Sequence, residues 1–392
     1  MTLSQRIASI DITRALTMTL MIFVNDLWTL HDIPLWLEHT KPREDGMGLA
    51  DTVFPAFLFI VGMSIPYAVA NRIKKGDGTW ALLRHALERG IGLLVMGLVL
   101  VNGEYLNEGA TGLSRGVWNA IACTSFILIW NQYPAGWPNV RKYVLKAIGI
   151  AGLLLLVSVC RGGEQAQGFS TYWWGILGLI GWAYLVGALT FILGKGKIGV
   201  VLGVWLVCMA FNMAAHGGLI AEDHPLRRFL APVGDGGLAA LVLGGTVASI
   251  LFRDFVEKGR RIPVIGWLTG IAAGLLAVGI ATRPVWGISK VMVTPSWVYI
   301  CSAITLFVFT LVYWIADLKG KGDAFRIIKP AGTDTLLCYL MPYYAYALMG
   351  ALSIPMMFPW GGVPGLLKSL AFALIIVQLT GWISKRGIRL KL

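Results

Sequence analysis

Long apolar blocks broken by short polar gaps run the length of this chain. They lie near 10–30, 52–71, 88–106, 116–133, 143–160, 172–193, 198–215, 236–253, 264–281, 297–316, 333–352 and 365–384. Each approaches the roughly 20 apolar residues that an α-helix needs to cross a bilayer. The pattern predicts an all-α polytopic membrane protein, a bundle of about 12 transmembrane helices. The third and fourth blocks are the least regular, because Glu88, Arg89 and Asn102 crowd their ends. No gap is long enough to mark off a soluble domain, so a single domain over 1–392 is expected.

Composition agrees with the pattern. The chain is 57% hydrophobic and 14% charged, with 48 Gly and 16 Trp. Aromatic side chains anchor helices at membrane interfaces, and small residues let helices approach closely. Charge then orients the bundle. With the N-terminus placed in the cytoplasm, 24 of the 33 Lys and Arg but only 8 of the 20 Asp and Glu fall on the inner side. Such a bias at an even helix count predicts cytoplasmic N- and C-termini. The net charge of +13 is thereby a topology signal, and no nucleic-acid partner is expected. The five cysteines are scattered over different blocks without metal-ligand spacing, so neither a disulfide framework nor a metal site is expected. The first block is too long for the apolar core of a cleavable leader, and its polar residues mark it as a retained helix.

Polar groups inside spanning segments cost about 2.5–3.5 kcal/mol each on insertion scales, which makes them candidates for function. The first block holds Asp11 and Arg14 at its inner start, at a spacing that allows an ion pair. Arg14 can instead help to hold an anionic ligand there. Asn25 and Asp26 follow about 22 Å further along the helix, near the outer leaflet. Beyond them His39 sits in a charged hairpin, "LEHTKPREDGMGLAD", that closes on Asp51. Asp51 is a candidate N-cap for the second helix, with Pro55 in its first turn. A carboxylate that orients a histidine suits it for general-base or nucleophilic work. Two weaker features are the Tyr339, Tyr343 and Tyr346 face with Pro342, read as packing and a kink, and the outer cluster His216, Glu222, Asp223 and His224, which matches no metal pattern. No internal repeat is visible, which argues against a transporter built from two homologous halves.

The stretches "RIASIDITRALTMTLMIFVND", "EH" and "GLADTVFPAFLFIVGMSI" resemble the opening of the heparan-α-glucosaminide N-acetyltransferase family and its bacterial relatives. The similarity covers about the first 105 residues, including "RGIGLLVMGLVLVNGEYL", and returns faintly at "GDGGLAALVLGGTVASILF", "TPSWVYICSAITLFVF" and "PAGTDTLLCYL". The departures are Ala15 where that family prefers Gly, Asp26 where a neutral residue is common, and "GVWNAIA" where a Gln-Arg pair is usual. Relative to shorter members, the blocks near 172–215 look like an inserted helix pair.

The resemblance implies a transmembrane enzyme that takes an acetyl group from cytoplasmic acetyl-CoA and delivers it to an amino sugar of the glucosamine type on the far side. If the source is bacterial, that is the periplasmic side of the inner membrane. It carries the active histidine over to His39, the membrane asparagine to Asn25 and the acidic residue opening the second helix to Asp51, with Asp26 as a second candidate partner for the histidine. Arg14 and Asp11 are the candidate residues for the acetyl-CoA end. Expected partners are the lipid bilayer, an amino-sugar or glycan acceptor, and a second copy of the chain in a homodimer. A sugar or ion transporter is the rival reading from another class, and acetylation of a glycan hydroxyl is the rival within the same class.

Overall fold

A computed structural model of the protein describes residues 7–41, 44–354 and 361–392. Arg6 and Arg43, counted above among the basic positions, lie outside the described residues. A helix forms in each predicted block. In chain order these are α1 (Ala8–Asp26), α2 (Leu49–Lys74), α3 (Thr79–Glu104), α4 (Arg115–Trp130), α5 (Asn139–Val159) and α6 (Ile176–Leu193). They continue as α7 (Ile198–His216), α8 (Gly237–Glu257), α9 (Pro263–Trp286), α10 (Pro295–Tyr313), α11 (Thr335–Ala351) and α12 (Gly362–Lys385). Among the described residues nine helices are long and apolar enough to cross a membrane: α2, α3, α5 to α9, α10 with the π-helical turn that continues it to Leu318, and α12. The other three fall short for identifiable reasons. α4 has 16 residues and α11 has 17, while α1 is diluted by Asp11, Arg14, Asn25 and Asp26.

The helices collect into two compact units. The first comprises Met1–Thr17, Pro34–Gly90 and Ile180–Arg326; the second comprises Met18–Ile33, Ile91–Leu179 and Ile327–Leu392.

In the first unit α2 is the central element: 67% of its apolar window is buried within the protein, against 22% for α7 and for α9. The outward residues of α9, such as Trp267, Ile280 and Val285, are apolar and suit lipid. α2 crosses α8 at paired glycines. An ideal Cβ on Gly62 would stand 1.9 Å from the Val242 carbonyl oxygen, and one on Gly245 would stand 1.9 Å from that of Phe59. Glycine here lets two backbones touch. Below the crossing Phe252 packs edge-on against Phe309 and Tyr313, at 5.3 and 4.9 Å between ring centres. Ile10, Met63, Leu268 and Leu306 complete this core.

α2 also carries two internal prolines, Pro55 and Pro66. Each removes the N–H that would bond the carbonyl four residues earlier, and an unmet carbonyl is expensive in hydrocarbon. Both vacated acceptors are used. The buried indole N–H of Trp297 donates to the Asp51 carbonyl (3.2 Å), and the Thr246 hydroxyl lies 3.1 Å from the Gly62 carbonyl. Ser249 adds a 2.7 Å bond to the Met63 carbonyl. α2 is therefore fastened sideways to α8 and α10 where its own ladder is interrupted.

In the second unit α4 packs on α5 and α11, and α11 on α12. Trp118 is fully buried, and its indole N–H donates to the Val99 carbonyl at 3.0 Å. Only 11% of the α5 window is buried within the protein, as befits a lipid-facing helix. Tyr339 and Tyr343 lie with their hydroxyls 3.3 Å apart, while Tyr346 turns to Asp26.

Asp26 is 1% exposed and accepts from Tyr346 (2.7 Å), Lys368 (2.8 Å) and Ser369 (2.6 Å). Lys368 also donates to the Thr29 hydroxyl at 2.8 Å. Removing one member of a buried ion pair is far costlier than the pair's net worth, about 3–5 kcal/mol. Asp26→Ala is therefore expected to lower the Tm of the solubilised protein by a wide margin, and adding Lys368→Met is expected to recover part of the loss. Equal Tm values for wild type and Asp26→Ala would refute the pair's structural role.

Candidate active site

The chain between α1 and α2 is shaped by two 3-10 turns, Leu27–Thr29 and Leu35–Leu37, before it reaches His39. It then doubles back so closely that a Cβ on Gly48 would lie 1.9 Å from the Glu38 carbonyl oxygen. Gly48 is the residue that caps α2. Asp51 is accordingly the third helical residue and not the N-cap expected from the sequence, and Pro55 falls one turn further in than expected. The carboxylate still serves the helix start, because Asp51 Oδ2 reaches back to the Gly48 N–H at 3.1 Å. The same oxygen accepts from the Thr40 N–H (3.0 Å) and the Thr40 hydroxyl (2.8 Å).

The other oxygen, Asp51 Oδ1, lies 2.7 Å from His39 Nδ1. Asp51 is 1% exposed and His39 is 47% exposed, so a buried anion holds an imidazole whose remaining edge is open. A carboxylate only accepts, so Nδ1 carries the proton and donates it to Asp51. That tautomer leaves a lone pair on Nε2, the atom free to take a proton or to attack a carbonyl.

A third side chain completes the group, and sequence reasoning did not find it. Lys290 Nζ lies 3.3 Å from His39 Nδ1 and 3.5 Å from Nε2. The loop that carries it is clasped to the hairpin. Asp45 Oδ1 accepts from the Ile288 N–H (2.7 Å), the Gly46 N–H donates to the Ile288 carbonyl (3.0 Å), and Arg283 Nε bonds Asp45 Oδ2 (3.0 Å). The Ile288 N–H, followed by the Arg283 guanidinium, pulls the Asp45 carboxyl below its ordinary value. Burial pushes the Lys290 pKa down, and the Asp51 carboxylate opposes it by favouring the ammonium. The one sequence signal for Lys290 was its place among the few basic residues that the charge count assigns to the expected outer side.

The remaining sequence candidates divide into two groups. Arg14 bonds Asp11 Oδ1 at 3.0 Å, as its spacing predicted, and also bonds the Ser64 hydroxyl at 2.6 Å. Ser64 lies about 20 Å from Asp51 along α2 at 1.5 Å per residue. The N-terminal turn of α1 donates its Ala8 and Ser9 N–H groups to the Asp317 carboxylate at 3.1 and 2.9 Å, which fixes where Asp11 and Arg14 begin. Asn25 and Asp26 belong to the second unit. Asn25 is exposed on the last turn of α1. Asp26, weighed as a partner for His39, has its carboxylate taken by Tyr346, Lys368 and Ser369; the partner that His39 has is Asp51.

Fold and site together define a multi-span helical membrane protein whose first interhelical loop presents a carboxylate-held histidine. Residues 6–129 match the family described as heparan-alpha-glucosaminide N-acetyltransferase, catalytic. The human protein heparan-alpha-glucosaminide N-acetyltransferase is 31% identical over 107 residues, covering 26% of this chain and 15% of the human one. The mouse protein of the same name is 30% identical over 106 residues, with the same coverage. The chain thus spans about a seventh of each of these relatives by alignment. His39, Asp51, Asn25, Asp26, Asp11 and Arg14 all fall inside the matched residues, and Lys290 falls outside them.

Proposed function

We propose that the protein is a transmembrane acetyltransferase. It takes the acetyl group of acetyl-CoA at the cytoplasmic face and passes it to a glucosamine-type amine on the opposite face, the periplasmic side of a bacterial inner membrane. The observation that carries this reading is the 2.7 Å His39–Asp51 pair, lying within the residues that match the acetyltransferase family. His39 Nε2 acts as the base that takes the acceptor's proton or as the carrier of the acetyl group. Asp51 holds the tautomer and the charge that either role requires. Arg14, steadied by Asp11, attracts the phosphates of CoA. A thioester is a reactive acyl donor, so transfer to an amine needs no nucleotide hydrolysis.

The test is release of CoA thiol by the purified protein given acetyl-CoA, with and without glucosamine, beside a His39→Ala variant. Glucosamine-dependent release that disappears in the variant is the expected result. Undiminished release by His39→Ala would remove His39 from the chemistry. Equal release with sugars that carry only hydroxyls would move the acceptor atom from nitrogen to oxygen, and no release with any sugar would remove the acetyltransferase reading.

A further inference from the structure

The basic group assigned above, Arg14 of α1, bonds Ser64, which lies well down α2 from Asp51. Lys290 is a second cation, and it stands at the histidine itself. Its distances to the two ring nitrogens, 3.3 and 3.5 Å, are nearly equal. The amine is therefore not aimed along the lone pair of Nε2, and Nδ1 is already turned to Asp51. It stands beside the ring, where an oxygen on a carbon bonded to Nε2 comes within its reach.

The position is built. Besides the Asp45 clasp, the Thr294 hydroxyl accepts from the Ser289 N–H (3.0 Å) and donates to the Gly287 carbonyl (3.1 Å). Val293 is held at φ 54°, a left-handed backbone that β-branched residues avoid, and the Asn212 amide grips its carbonyl at 3.1 Å. Backbone strain of this kind persists where the surroundings over-determine a conformation, typically beside functional groups. The charged or titratable groups that act on Lys290 are Asp51 from α2 and Cys301 from α10.

We propose that Lys290 is a catalytic residue of the acyl transfer, its ammonium receiving the negative charge that develops on the acetyl carbonyl oxygen. The assignment rests on the acetyltransferase reading given above. It applies whether the carbonyl carbon bonds first to His39 Nε2 or directly to the acceptor amine. In the direct route the amine lone pair forms the new C–N bond, the carbonyl π pair moves onto oxygen, and its return breaks the C–S bond. The amine proton passes to His39 Nε2 and then to the departing CoA thiolate. In the carrier route the same movement occurs twice. Nε2 attacks first and the C–S bond breaks, releasing the CoA thiolate to take a proton from water. The amine then attacks the acetyl-histidine, the C–Nε2 bond breaks, and the freed Nε2 takes the amine proton. Lys290 keeps its own proton in both.

The experiment uses the full-length protein with Lys290→Met, Lys290→Gln and Lys290→Arg. One readout is kcat and KM for acetyl-CoA with glucosamine as acceptor. The other is the single-turnover rate of CoA release at saturating acetyl-CoA, with His39→Ala as the blank. The neutral variants are expected to lose about 10²–10³-fold in kcat with KM nearly unchanged, as for loss of one oxyanion donor. Lys290→Arg keeps the charge, so it is expected to recover part of kcat. Unchanged kcat in whichever neutral variant folds, with an active wild type, overturns the assignment and leaves the acetyltransferase reading standing. A wild type that turns over no acetyl-CoA overturns both, and the two failures are told apart by the wild-type lane.

Discussion

Asp51→Asn is expected to lower turnover by about 10²–10⁴-fold, the range for a disabled general base, while the protein stays folded. The reasoning runs through hydrogen-bond direction. On its Oδ2 side Asp51 meets three donors, the Gly48 N–H, the Thr40 N–H and the Thr40 hydroxyl. An asparagine here must turn its carbonyl oxygen to those donors, which leaves its NH2 facing His39 Nδ1. Nδ1 then has to accept, the ring proton moves to Nε2, and the lone pair that does the chemistry is gone. The ring stays in place with the wrong tautomer. His39→Ala is expected to lose at least as much. CoA release measured on material that runs as a single species in gel filtration checks both, and Asp51→Asn within tenfold of wild type would end the tautomer argument.

A second large loss of stability is expected at the α2–α8 crossing. A methyl on Gly62 would sit 1.9 Å from the Val242 oxygen and 2.7 Å from its carbonyl carbon, and one on Gly245 would sit 1.9 and 2.8 Å from the same atoms of Phe59. Both obstacles are backbone, so no side chain can swing aside. The helices must part, which pulls Thr246 and Ser249 away from the carbonyls they serve on α2. Gly62→Ala or Gly245→Ala is expected to cost at or above the upper end of the ~1–3 kcal/mol typical of overpacking. Gly266 on α9 has open space around it, so Gly266→Ala is the matched control, and its Tm should stay at the wild-type value. Equal Tm for Gly62→Ala and Gly266→Ala would show that the crossing is not under this constraint.

What the sequence could disclose depended on separation along the chain. Apolar block length located the twelve long helices, nine of them long and apolar enough to cross a membrane among the described residues, because crossing hydrocarbon imposes a length that composition cannot hide. His39 and Asp51 were legible as a pair because one short hairpin carries both. Asp51 was misplaced as an N-cap because Gly48, with no side chain to advertise the role, takes that position and the carboxylate works from inside the helix. Asp26 was weighed as a partner for His39 because its own partners, Tyr346, Lys368 and Ser369, lie 320 to 343 residues away. Lys290, 251 residues from His39, was invisible for the same reason: periodicity and local spacing say nothing about which loops share an end of a bundle.

The two prolines of α2 have a bearing on how the protein is made. The Gly62 carbonyl waits for Thr246, 184 residues later, and the Asp51 carbonyl waits for Trp297, 246 residues later. At ribosomal speeds of about 5–20 residues per second, the second interval lasts roughly 12–50 s. α2 has two unmet acceptors until Thr246 arrives and one until Trp297 does, a state that bare lipid penalises. The nascent helix must therefore linger beside the insertion machinery, or keep water at its ends, until α8 and then α10 emerge. The loop bearing His39 takes its final shape only when the last of them arrives.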